Sequence, residues 1–89
     1  MAPNIEGVSK FAQDYRAELR RRIAAARPGS DYDWPDKSDA AVEKCLRAMF
    51  QAGLRGEVAP SANPALLAVC KRHGFTTREG LTGFLRGTP

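Results

Sequence analysis

Residues 70–87 read CKRHGFTTREGLTGFLRG. The stretch describes a helix closing at Gly74, a short turn, and a second helix closing at Gly87. Gly74 is the residue type that adopts the left-handed conformation after a helix, and Phe75 follows where it can pack back on Cys70. Thr76 and Glu79 have the spacing of a capping box, which starts the second helix. Leu81, Phe84 and Leu85 then share one face. Gly80, Gly83 and Gly87 form a bare stripe beside Phe84. Each interior glycine costs a helix about 1 kcal/mol relative to alanine, so the stripe implies a close neighbour, in the first instance another helix of the same bundle.

Working outward, Asn63 followed by Pro64 marks the start of the preceding helix: asparagine as cap, proline where a missing N–H costs nothing. Leu66, Leu67, Val69 and Cys70 supply its buried side. Upstream, RGEVAPSANP is a connector of about ten residues, long enough to cross one end of a small bundle. Before it, Val42, Cys45, Leu46, Met49, Phe50 and Gly53 recur at helical spacing. Asp36 or Ser38 is placed to cap that helix, and Gly53 to end it with Leu54 folding back on Met49. SDYDWPDKS is a loop by composition; its Trp34 belongs either over the core or in an interface, since an exposed indole forfeits a few kcal/mol.

The first helix is set by Val8, Phe11, Ala12, Tyr15, Leu19, Ile23 and Ala26, with Pro28 and Gly29 as its stop. Arg16, Arg20 and Arg27 line one flank of that stripe. Glu18 and Arg22 form an i, i+4 pair that, if exposed, contributes about 0.3–0.5 kcal/mol. No strand alternation occurs. The expectation is an all-α, single-domain bundle of four helices over residues 1–89, at about 8–27, 37–52, 64–73 and 77–86.

The formal net charge is +4, unevenly distributed. Residues 1–30 carry six Lys/Arg against three acids, residues 31–54 three against five, and residues 55–89 five against two. Two basic flanks around an acidic middle suit a partner that is nucleic acid or an acidic protein surface; a homodimer is also compatible with this surface. No apolar run is long enough for a membrane span or a secretory h-region, and two unclustered cysteines point to a reducing, cytoplasmic setting.

Chemistry-bearing clusters are sparse. His73, Cys70 and Cys45 fall short of the four clustered ligands zinc takes, and Cys70 lies on an apolar face unsuited to a nucleophile. Asp31, Asp33 and Asp36 lack the glycine and closing glutamate of a calcium loop. No metal, no cofactor and no catalytic activity are expected.

Cys70, Gly74 and Phe75 meet the small–glycine–apolar template of a helix-turn-helix, and the unit resembles that motif of bacterial regulators. The apolar anchors of its second helix fall one place late, so the turn must be one residue longer than usual. The resemblance implies that Thr77, Arg78, Thr82 and Arg86 face a nucleic-acid groove or its phosphates, with Lys71 and Arg72 behind them and Arg16, Arg20 and Arg27 on the first helix as further contacts. The expected function is a small basic, non-catalytic, nucleic-acid-associated regulator. The alternative is a protein-binding adaptor or inhibitor, such as a phage- or plasmid-encoded anti-CRISPR-like protein that blocks a host nucleic-acid-handling complex.

Overall fold

The computed structural model describes residues 5–87. It is all-helical, as the periodicity requires: α1 (Ile5–Ala24), α2 (Asp39–Leu54), α3 (Pro64–Arg72) and α4 (Arg78–Arg86), with one 3-10 turn at Pro60–Ala62. The long first helix is the spine. α2 and α3 pack on α1, and α4 packs on α2, giving a body of 44 × 22 × 21 Å. The core is the sum of the four stripes: Phe11, Tyr15, Leu19 and Ile23 meet Val42, Leu46 and Met49, Leu66, Val69 and Cys70, and Leu81 and Leu85.

All four phenylalanines of the chain converge on one end of this core. Phe11 stacks on Phe75 with ring centroids 6.0 Å apart, and meets Phe84 at 5.4 Å and Phe50 edge-on at 6.2 Å. His73, the residue after α3, joins them 5.2 Å from Phe11, and its Nε2 lies 2.9 Å from the Asp14 carboxylate. The cluster ties the turn between α3 and α4 to α1. Such ring pairs contribute about 0.5–1.5 kcal/mol beyond their burial.

Local signals account for most helix ends. Ser38 caps α2 through Ala41 N, and Asn63 caps α3 through Ala65 N and Leu66 N. Gly74 takes φ +92, with Phe75 N bonded to Cys70 O, the six-to-one closure expected of a glycine-ended helix. The connector before α3 buries Pro60 within its 3-10 turn.

Four expectations are corrected. α1 ends at Ala24, not Ala26 or Arg27. Arg27 precedes Pro28 and is biased off the helix, and the proline ring would clash with the carbonyl of Ala24. Gly53 does not end α2: it lies inside the helix, buried, where an added Cβ would stand 2.6 Å from Leu85 Cδ1. Its bare Cα admits α4, and Gly56, at φ +73, closes the helix instead with Glu57 N bonded to Ala52 O. Leu54 accordingly does not fold back on Met49 but remains 44% exposed.

The cap of α4 is Thr77, whose hydroxyl accepts from Gly80 N at 3.0 Å. This shifts the register by one, so Glu79 stands at the second helical position and forms no capping box with Thr76. Gly80 then faces its own turn: a Cβ there would lie 2.9 Å from Phe75 Cβ. The close neighbour of that glycine is Phe75, not another helix.

Glu18 is the fourth. Its pair with Arg22 is no exposed surface contact, because the carboxylate is 3% exposed and accepts from three arginines.

Candidate nucleic-acid interface

The outer face of α4 is set by the Thr77 cap. With Arg78 as the first helical residue, Arg78, Thr82 and Arg86 recur every four residues along one flank of the helix, beside the buried stripe of Leu81 and Leu85. Arg78 and Arg86 are therefore about 12 Å apart along the axis. Between them lies an open groove of about 370 Å³, lined by Gly56, Arg78, Glu79, Thr82, Gly83 and Arg86.

The groove owes its width to the end of α2. Gly56 lies under Thr82, and a Cβ at Gly56 would come within 3.7 Å of Thr82 Oγ1. Arg86 reaches across, its Nε donating to the Leu54 carbonyl at 2.8 Å, so the guanidinium is held in place by an oxygen that carries no full charge. Arg86 forms no ion pair among the described residues. Arg78 lies 3.6 Å from Glu79, its one ion-pair partner among the described residues, with both side chains mostly exposed. The Thr82 hydroxyl donates to Arg78 O at 2.9 Å, so its proton is occupied and the residue contributes shape rather than a donor. The Thr77 oxygen is likewise engaged, by Gly80 N.

The other expected contacts divide by charge compensation. Arg16 donates to both oxygens of Glu43, through its Nη2 at 3.1 Å, and the pair holds the Glu43 carboxyl below its ordinary value. Arg20 lies 3.1 Å from Asp39, and Arg72 turns back to Glu18. These three link α1 to α2 and α3 to α1. Lys71 and Arg27 are exposed and form no ion pair among the described residues. Among the expected contact residues, the structure thus brings together Arg78, Thr82 and Arg86, and leaves Arg16, Arg20 and Arg72 as inter-helix ties.

Sequence reasoning did not identify Glu18 as the centre of an arginine cluster. Burial pushes its carboxyl up, but Arg22, Arg21 and Arg72 outweigh that, and the net direction is below the ordinary carboxylate value. The available signal was a lone acid four residues before Arg22 on the apolar side of an arginine-rich helix. It also did not anticipate the polar relay under the loop. The Tyr32 hydroxyl donates to Asn63 Oδ1, Asn63 Nδ2 donates to the Tyr15 hydroxyl at 3.1 Å, and Tyr15 lies 3.8 Å from Cys45 Sγ. Burial first, and then Cys45, raises the Tyr15 phenol well above its usual value.

Trp34 is neither fully core nor free. It packs partly against the core, its Nε1 donates to Asp31 O at 3.1 Å, and it faces a second groove beside Pro64. Cys45 and Cys70 are free thiols, and no group of three or more metal-ligating side chains gathers among the described residues. No helix among those residues is long and apolar enough to cross a membrane. Compared with known proteins, the chain matches no family model, no curated protein and no solved structure.

Proposed function

We propose that this protein is a small, non-catalytic binding module that engages nucleic acid through the outer face of α4. The supporting observation is the groove between Arg78 and Arg86, where Arg86 is positioned by a backbone carbonyl and pairs with no carboxylate among the described residues. A guanidinium held in place, with no carboxylate beside it among the described residues, is suited to a phosphate oxygen. Lys71, on the last turn of α3, is a further exposed cation in the same C-terminal half of the chain, with no ion pair among the described residues. Arginines that already bridge helices contribute little to such a surface, which narrows the contact set to α4 and its approach.

The reading is tested by titrating duplex DNA, duplex RNA and single strands with the wild type and with the Arg78→Glu/Arg86→Glu double variant. Wild type should bind with a salt-dependent affinity, and removing two phosphate contacts should lower the log–log salt slope by about 1.8 on duplex DNA. The thermal midpoint should fall by only a few degrees, chiefly through loss of the exposed bond from Arg86 Nε to Leu54 O. A flat wild-type titration on every nucleic acid would reject this function and favour a protein-binding adaptor or inhibitor.

A further inference from the structure

The second groove, about 300 Å³, lies on the loop between α1 and α2 where it meets the start of α3, and is lined by Asp31, Tyr32, Trp34, Ala62, Asn63 and Pro64. We propose that it is a docking site for an arginine or lysine side chain of a basic partner segment, held between the Trp34 ring and the Asp31 carboxylate. The proposal is independent of the nucleic-acid reading, because it concerns a groove of opposite charge.

Three features of the groove carry it. Its walls are built before any ligand arrives. Tyr32 is fixed by its hydroxyl, which donates to Asn63 and accepts from Ala65 N at 2.9 Å, while Trp34 is fixed by the bond from its Nε1 to Asp31 O. Both polar tips are thereby bonded within the protein, and the two aromatic residues line the groove together with the polar Asp31 and Asn63. Preformed aromatic walls with a single charged group at the rim suit one cationic side chain.

Next, the rim is acidic on an otherwise basic protein. Asp31 is exposed and forms no ion pair among the described residues, and Asp36 is engaged by Ser38, whose N–H it accepts, at the cap of α2. Asp33 has Lys37 at 3.8 Å and accepts from Gly29 N, so its charge is partly offset. A basic segment is favoured here and repelled from the arginine face of α4.

Finally, the loop already hosts the same kind of interaction. The Arg22 guanidinium stands 5.7 Å from the Tyr32 ring centre, yet its Nε is tied to Glu18 at 2.8 Å and so cannot swing over to neutralise Asp31. The Trp34 and Asp31 side of the groove is left for a cation from outside.

Trp34 is the single tryptophan, so its fluorescence reports on this groove alone. The test titrates the full chain with a tetra-arginine peptide, with a tetra-glutamine peptide as neutral control, and repeats the titration on Asp31→Asn. A saturable change in Trp34 emission is expected with tetra-arginine and not with tetra-glutamine. The Asp31→Asn variant should bind about fivefold more weakly, with an unchanged circular-dichroism melt showing that the loop still folds. No response to tetra-arginine, an equal response to tetra-glutamine, or identical binding by Asp31→Asn would each overturn the proposal. Emission that shifts with protein concentration alone would assign the groove to a second copy of the chain, and would overturn it too.

Discussion

Arg72 of α3 donates to the carboxylate of Glu18 on α1, 54 positions away in the chain, and Arg21 and Arg22 reach the other oxygen of the same carboxylate. One buried acid thus gathers three guanidiniums at the α1–α3 seam. A buried charge is costly unless paired, and here the pairing is complete from both sides. The arginines themselves stay partly in water, which tempers the gain.

Glu18→Gln should therefore destabilise the fold by about 1–3 kcal/mol at neutral pH, because three positive charges then face one neutral amide. The pH dependence has a definite sign. Glu18 and Asp14 both have carboxyls lowered in the folded state, Asp14 chiefly by its hydrogen bond to His73 and then by Lys10, against an opposing push from burial. Their contribution is fully present above the ordinary carboxylate value and is lost as pH falls through the lowered one. Urea midpoints measured from pH 7 to pH 3 should fall on the acid side, and less steeply in Glu18→Gln. An acid limb of unchanged slope would remove Glu18 from this role.

Asn63→Ala should cost about 2 kcal/mol or more. It removes the acceptor for Leu66 N and for the Tyr32 hydroxyl, takes one of two acceptors from Ala65 N, and deletes the donor to the Tyr15 hydroxyl. Asn63→Asp keeps the cap and loses only the donor to Tyr15, so its loss should be smaller. Trp34 emission should shift to longer wavelength in the alanine variant as the loop loosens. A Tm within error of wild type would show that the cap and relay carry no stability.

Met49→Ala should lose about 2–5 kcal/mol, while Gln51→Ala should change little. Met49 is buried in the core on the inner face of α2, whereas Gln51 is exposed. The expectation rests on burial alone, since Leu54 does not reach back to Met49. Equal urea midpoints would mean that the inner face of α2 has been misassigned.

The two thiols should react at different rates. Burial pushes the Cys70 thiol up to about 12, so almost no thiolate is present near neutrality. Cys45 is only half-buried and should be modified first by a thiol reagent such as dithionitrobenzoate. In urea the two should become equivalent. Fast reaction of two thiols in the native protein would contradict the burial of Cys70.

Much of the architecture was legible before any coordinates. The spacing of Phe11, Tyr15, Leu19 and Ile23, or of Val42, Leu46 and Met49, is a local property, because a helix repeats every 3.6 residues and shows its buried face in the chain order. Asn63, Pro64 and Gly74 were equally readable, since capping involves atoms within a few residues. Where two nearby residues offer the same chemistry, local rules choose the wrong one. They place the cap at Thr76 and it lies at Thr77, and they place the closing glycine at Gly53 and it lies at Gly56; Phe75 packs on Phe11, and Leu85 approaches the bare Cα of Gly53.

The candidate sites divide along the same line. Arg78, Thr82 and Arg86 share a face by helical spacing alone, and that much follows from the sequence. Which cations stay free is a different matter. Arg16 finds Glu43 across 27 positions and Arg72 finds Glu18 across 54, and no composition count anticipates either partner. The Trp34 groove likewise exists only because the loop is pinned to Asn63 at the start of α3. Periodicity and capping act within a few residues, so the chain itself determines the helices. Charge compensation and grooves depend on which helices meet, and only the tertiary packing decides those.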